Sequence, residues 1–220
     1  MILGFSGSPK PDGNCQRMVR QMLQEIGGES KFYDLSQMKI APCTGCVKCG
    51  ATNRCVQRDD MTPLYDEIVA AEALVIGAVN FFGHPNAFTR LFLERLYPLR
   101  HNEPQTKDKV AAVIAAGGSP DEIDAVAQEL AYHMKSYFDC QVVGEVAYAS
   151  WTPPCYICGF GTTCPVGLPA RKFSSEEFAA FNEITPDMFH HFEDEPEAVE
   201  RLHAEAAKVR KALSQSSVST

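Results

Sequence analysis

The sequence predicts an open α/β fold, a doubly wound parallel sheet of five strands. Three observations carry that expectation. Short apolar runs alternate with stretches of helical periodicity over residues 1–150. Two of the runs, Ala73–Val79 and Lys109–Ala115, are almost continuously apolar, as strands covered on both faces require. The runs lead into loops rich in Gly, Pro, Ser, Asn or Cys, and ligands of such sheets sit beyond the carboxyl ends of the strands.

Met1–Phe5 is the first strand, and Ser6-Gly7-Ser8-Pro9-Lys10-Pro11-Asp12-Gly13-Asn14-Cys15 follows it. Met18, Val19, Met22, Leu23 and Ile26 then recur at helical spacing until Gly27-Gly28 stops the helix. A strand, a glycine-bearing loop and a helix N-terminus together suit a phosphate, because loop N–H groups converge where the helix dipole favours an anion. No Gly-Lys-Ser/Thr closes the loop and no Gly-x-Gly-x-x-Gly is present, so it is neither a Walker loop nor the dinucleotide fingerprint. A plain β–α turn stays open as the alternative.

Ser30–Leu35 is the second strand, and a long loop leads to a helix with Leu64, Ile68 and Val69. Asp60 or Thr62 is expected to cap that helix, with Pro63 in its first turn. Ala73–Val79 ends in Asn80-Phe81-Phe82-Gly83-His84-Pro85, before a helix holding Phe88, Leu91, Phe92 and Leu96. Lys109–Ala115 ends in Ala116-Gly117-Gly118-Ser119-Pro120, before a helix with Ile123, Val126, Leu130 and Met134. Gln141–Tyr148 is the fifth strand. The loops at 6–15, 36–59, 80–86 and 116–120 are thus expected to share one rim.

Residues 151–220 do not continue the alternation and read as a Cys-rich loop with a helical C-terminal extension. Ser174–Phe181 has the signature of a short capped helix. Pro196–Leu213 places Val199, Leu202, Ala206, Val209 and Leu213 on one face, expected to pack on the sheet or on a partner subunit. Ser214–Thr220 is expected to fray.

At 45% hydrophobic and 22% charged the 220 residues are ordinary globular composition, and a net charge of −8 argues against a nucleic-acid partner. Met1–Ser8 lacks a basic flank and is too short for a signal peptide or a membrane span, so no membrane is expected. Nine cysteines without an export signal imply a reducing cytoplasm, where thiols serve metals or redox chemistry.

Four of those cysteines, Cys43, Cys46, Cys49 and Cys55, fall within Pro42–Cys55. Zinc usually takes two separated C-x2-C knuckles, which steps of three without a distant pair fit poorly. Disulfides suit small secreted chains. The spacing favours an iron–sulfur cluster, [4Fe–4S], with Gly45 and Gly50 easing the turns; a loop of unligated thiols stays open.

Taken together, Gly7-Ser8-Pro9-Lys10 with Gly13-Asn14, the compact cysteine group, Asp59-Asp60-Met61 and Phe81-Phe82-Gly83 resemble the iron–sulfur flavoproteins of the NAD(P)H-dependent FMN reductase superfamily. The resemblance implies a flavodoxin-like FMN domain over 1–150 with the cluster loop at 42–56, followed by the 151–220 extension. It implies FMN, a [4Fe–4S] cluster held by Cys43, Cys46, Cys49 and Cys55, a homo-oligomer, and electron transfer from a ferredoxin-like or NAD(P)H donor to a small-molecule acceptor. By position, Ser8, Lys10, Asn14 and Cys15 would hold the FMN phosphate. Val79, Asn80, Phe81, Phe82 and Gly83, with Gly117, Gly118 and Ser119, would flank the isoalloxazine. Cys15 departs from the usual Thr or Ser, and Ala78-Val79-Asn80 from the usual Ser-Pro-aliphatic run. A cluster-free NAD(P)H-dependent FMN or quinone reductase and a non-catalytic electron carrier or redox sensor are the alternative functions. No general acid or base is assigned.

A second group, Cys155, Cys158 and Cys164, lies among prolines and glycines. It could ligate a second metal centre with a further ligand such as Cys140, form a redox dithiol, or stay structural. His84 beside the aromatic turn could contact the flavin or its substrate or simply be solvated, a metal at His190-His191 is not expected, and Glu94-Arg95 and Glu193–Glu197 read as solvated faces.

Overall fold

The computed structural model describes residues 1–216, the side chain of Ser216 excepted. Its parallel strands are β1 (Ile2–Ser6), β2 (Ser30–Asp34), β3 (Ala73–Phe81), β5 (Val110–Ala116) and β6 (Gln141–Tyr148), in the order β2-β1-β3-β5-β6. A two-residue strand, β4 (His84–Pro85), pairs antiparallel with the end of β3. Without β4 the order is that of flavodoxin, whose switch point falls where the chain reverses between the first and third strands.

The helices cover both faces. On one lie α2 (Met61–Ala70), α3 (Ala87–Arg95) and α4 (Pro120–Phe138), where Phe5, Ile76 and Val113 pack against Ile68, Phe92 and Leu130. On the other, α1 (Asn14–Ile26) and α7 (Pro196–Ser216) join Met18, Val19, Leu202, Ala206 and Val209 to Val75 and Ala112. The amphipathic stripe of α7 therefore seats on the sheet. α7 reaches Ser216, so the first residues of the segment expected to fray are helical, and 217–220 lie outside the described residues. Between β6 and α7 run the short helices α5 (Leu168–Lys172) and α6 (Ser175–Ala180), the latter with Ser174 and Glu177 in a reciprocal capping box.

Two local expectations change. The side chains of Asp60 and Thr62 do not cap α2; Asp59 Oδ1 accepts from Met61 N at 3.1 Å, while Asp60 accepts from Lys39 N at 2.7 Å. β3 also runs two residues further than its apolar run, because Phe82 and Gly83, both at positive φ, turn the chain straight into β4. No helix among the described residues is long and apolar enough to cross a membrane.

Candidate functional site

The loop after β1 is built from short bonds of its own. Ser8 Oγ donates to Lys10 O and accepts from Lys10 N, each at 3.2 Å, and Gly13 N donates to Lys10 O. Gln16 Nε2 ties the turn to the end of β2 through Asp34 at 2.8 Å. Among the described residues no side chain caps α1 and no acid stands in its first turn. Its leading N–H groups and positive dipole end are therefore available, which fits the phosphate of a flavin nucleotide.

Two of the four loop residues point elsewhere. Cys15 is 1% exposed, its Sγ 3.4 Å from Ser6 Oγ, and burial pushes its thiol up to about 12. A Cβ on Gly77 would come within 2.9 Å of that sulfur, so the bare glycine makes room for it. The thiol faces β1 and β3 rather than the loop, leaving Cys15 its backbone N–H as a donor. The side chain of Asn14 is engaged as well: Nδ2 donates to His190 O, and Oδ1 accepts from Arg17 and from Phe192 N. Arg17 pairs with Glu193, and Phe192 is fully buried, so residues 190–193 strap the start of α1. Glu193 stays exposed, as expected of a solvated acidic run, but is paired with Arg17.

The two loops expected to flank a flavin ring do meet. Asn80 Nδ2 donates to Glu122 just beyond Ser119, and a Cβ on Gly118 would lie 2.3 Å from that nitrogen. Phe81 and Phe82 are 51% and 97% exposed there, aromatic surface open to a planar ligand. Asn86, which sequence reasoning missed, joins this edge to the phosphate loop: Nδ2 donates to Gly7 O at 2.6 Å, and Oδ1 accepts from Thr89 at 3.0 Å. An Asn before a helical run reads as a simple N-cap, which hides that use.

The cysteine loop leaves the same edge but descends along α3. Cys43, Cys46, Cys49 and Cys55 line one pocket with Val47, Val56, Arg95, Tyr97 and Pro98, at the far end of that helix. Nine residues of α3, roughly 13 Å at the helical rise, separate its two ends. The shared rim expected for both loops is thus corrected: the thiols and the phosphate loop lie at opposite ends of α3. Backbone N–H donation from Lys48 holds the Cys46 thiol below its ordinary range. Burial and then the neighbouring Cys55, Cys43 and Cys46 charges push Cys49 up.

No group of three or more His, Cys, Asp or Glu side chains among the described residues stands close enough to hold a metal ion. One ion needs its donors about 2.3 Å from a common centre, whereas a cubane interposes iron and sulfide between more widely spaced thiolates. Four sulfurs around one pocket, beside a buried Arg95 whose Nε lacks a partner, suit the second better. Cys155, Cys158 and Cys164 do not assemble as a metal-ion site either; Leu168 N donates to Cys155 Sγ at 3.2 Å and Phe160 N to Cys158 Sγ at 3.4 Å. Cys140 is buried in the core under α2, α3 and α4. A larger cavity of about 200 Å³, lined by Arg90, Tyr97, Arg100, His133 and Tyr137, holds neither a thiol nor the phosphate loop.

Strand order and rim define the class, a flavodoxin-like α/β protein. Solved structures agree at the level of the fold: RosB with a bound intermediate at TM-score 0.61 and 13% identity, over 97% of this chain and 79% of that one. A flavone reductase gives 0.58 and 18%, over 97% of this chain and 62% of that one. A profile of NADPH-dependent FMN reductases matches residues 1–152, and the chain belongs to that family, whose members are flavin-dependent oxidoreductases. Among relatives, an iron–sulfur flavoprotein of Methanocaldococcus jannaschii is 32% identical over 121 residues, 54% of this chain and 62% of that protein. One of Archaeoglobus fulgidus is 34% identical over 127 residues, 55% of this chain and 57% of that protein. The match thus spans about six tenths of these relatives' own lengths.

Proposed function

We propose that this chain is an FMN- and [4Fe–4S]-containing oxidoreductase that takes electrons from a ferredoxin-like or NAD(P)H donor and delivers them to a small acceptor. The observation that carries the reading is the convergence of Cys43, Cys46, Cys49 and Cys55 on one pocket, in a chain whose α1 N-terminus is uncapped. The cluster would supply single-electron transfer, and FMN the exchange between one- and two-electron steps. The protein's part is to bind and orient them. The first N–H groups of α1 would hold the phosphate in a loop braced by the Ser8 hydroxyl, with Lys10 supplying charge at the loop's outer edge. Phe81, Phe82 and the Gly117–Ser119 turn would border the ring. The names of the relatives support the iron–sulfur half of the reading.

Anaerobic purification followed by counts of iron, acid-labile sulfide and FMN tests it. About four irons per chain, matched by sulfide, and bound FMN are expected. Yellow protein without labile sulfide would make this a cluster-free reductase, and loaded protein that turns over no acceptor with any donor would make it a carrier or sensor.

A further inference from the structure

Arg95 closes α3 and is 1% exposed. A guanidinium does not give up its proton, so burial demands partners for its charge and its donors. Asp59 meets the charge with both oxygens, at 2.5 Å from Nη1 and 3.1 Å from Nη2. Ala41 O accepts from Nη1 at 2.6 Å. Nη2 also reaches Cys55 Sγ at 3.7 Å. Nε is buried and has no acceptor among the described residues. Tyr65 fixes the backbone here by donating its hydroxyl to Arg95 O at 2.8 Å. One side chain therefore holds the entry of the cysteine loop at Ala41, its exit at Asp59, and the sulfur of its last thiol.

We infer that Arg95 is a positioning residue that also sets the reduction potential of the thiolate centre, with Asp59 fixing how much of its charge the centre feels. This rests on reading the centre as a [4Fe–4S] cluster. Adding one electron to such a cluster makes it more negative, and its potential follows local net charge and hydrogen bonds to its sulfurs. A buried cation beside a ligating sulfur favours the reduced state, more so where water is excluded. Removing Arg95 takes away both the charge and the N–H donor. Neutralising Asp59 does the reverse, because it leaves the guanidinium uncompensated. A residue that only propped the loop would have no cause to shift the potential in opposite directions.

The test is a dithionite redox titration followed by electron paramagnetic resonance, with iron and FMN counted on the same anaerobic preparations. Arg95→Gln should move the cluster midpoint to lower potential. Arg95→Lys, which keeps the charge but not the fork, should lie nearer wild type, and Asp59→Asn should move it higher. The FMN midpoint should stay in place in all three. Shifts of the same sign in Arg95→Gln and Asp59→Asn, or no shift in protein that carries its iron, overturn the inference. If Arg95→Gln fails to load, the comparison of Asp59→Asn with wild type decides by the sign of its shift. Failure of all three to load means that the pair only scaffolds the loop, and tuning is rejected. Wild-type protein without iron overturns the cluster reading as well, whereas loaded protein with unmoved potentials overturns this inference alone.

Discussion

Asn86 and Arg95 bracket α3, and each reaches back to a different loop: Asn86 to Gly7 O beside the phosphate loop, Arg95 to Cys55 and Asp59 of the cysteine loop. The helix acts as a spacer between two sites. Because Asn86 is 4% exposed, Asn86→Ala leaves Gly7 O without this donor and Thr89 only its 3.4 Å bond to Gly77 O, a loss of about 1–3 kcal/mol. Urea unfolding should show that loss, and FMN retention on desalting should fall. The iron content should hold. Iron lost in step with FMN would mean that α3 does not insulate the two ends.

Cys15 gives a second expectation. Its thiol is a core group between Ser6 and Gly77, so Cys15→Ala should leave bound FMN unchanged and cost about 1 kcal/mol of packing. Flavin content and a denaturant midpoint measured on one preparation check it. Loss of FMN without loss of stability would return the thiol to the phosphate site.

The sheet was legible because buried parallel strands are written as apolar runs and each helix carries its own stripe. The cysteine group was legible for a different reason, since four thiols within Pro42–Cys55 are visible in one dimension. Arg95 was not. It stands next to Glu94 in what reads as a charged surface pair, and its acceptors lie 36 to 54 residues earlier in the chain. Glu193 was hidden likewise, its partner Arg17 being 176 residues away. The direction of the Cys15 thiol was not legible, because loop position fixes where a backbone runs, while the first turn of α1 decides which way the side chain faces. Charged and polar partners at long range leave no periodic trace.

The strap across α1 carries a pH dependence. Burial works against the Glu193 carboxylate, but the bond from Arg17, a backbone N–H and the Arg17 and His191 charges together outweigh it and hold its pKa below the ordinary 4.5. A depressed carboxylate stabilises the fold at neutral pH, and that contribution fades as pH falls below 4.5 and through the folded value. The pair is partly exposed, so its worth is at most about 1 kcal/mol. Urea unfolding of wild type and Glu193→Gln should therefore differ at pH 7 and converge in acid. A difference that grows in acid would rule out this pair as its source.

The tail cysteines are expected to be spectators of iron. They number three where a cubane takes four, the candidate fourth, Cys140, is buried, and Cys158 and Cys155 already accept from Phe160 N and Leu168 N. Replacing Cys155, Cys158 and Cys164 together by Ser should leave iron at about four per chain, the content of one cubane. Wild type with about eight irons, falling to about four in the triple variant, would establish a second centre there.

The separation along α3 bears most directly on whether FMN and the proposed cluster bind independently. Sites that share no partners couple weakly, and here the nine residues of α3 lie between them. Serine is a harder, poorer ligand for iron than a thiolate. Cys46→Ser should therefore lose the iron and the broad brown absorbance yet keep yellow, bound FMN. Reduction of that FMN by dithionite should persist, because it needs no relay. Reduction by a one-electron protein donor should fall sharply, because the route through the thiolate pocket is gone. Iron content, flavin content and donor-driven rate on the same preparation separate the cases. An unchanged rate would show that electrons reach the flavin directly, leaving the cluster a structural or sensing part. Loss of both cofactors would show that the loop folds around its metal and that α3 transmits the collapse to Asn86 and the phosphate loop.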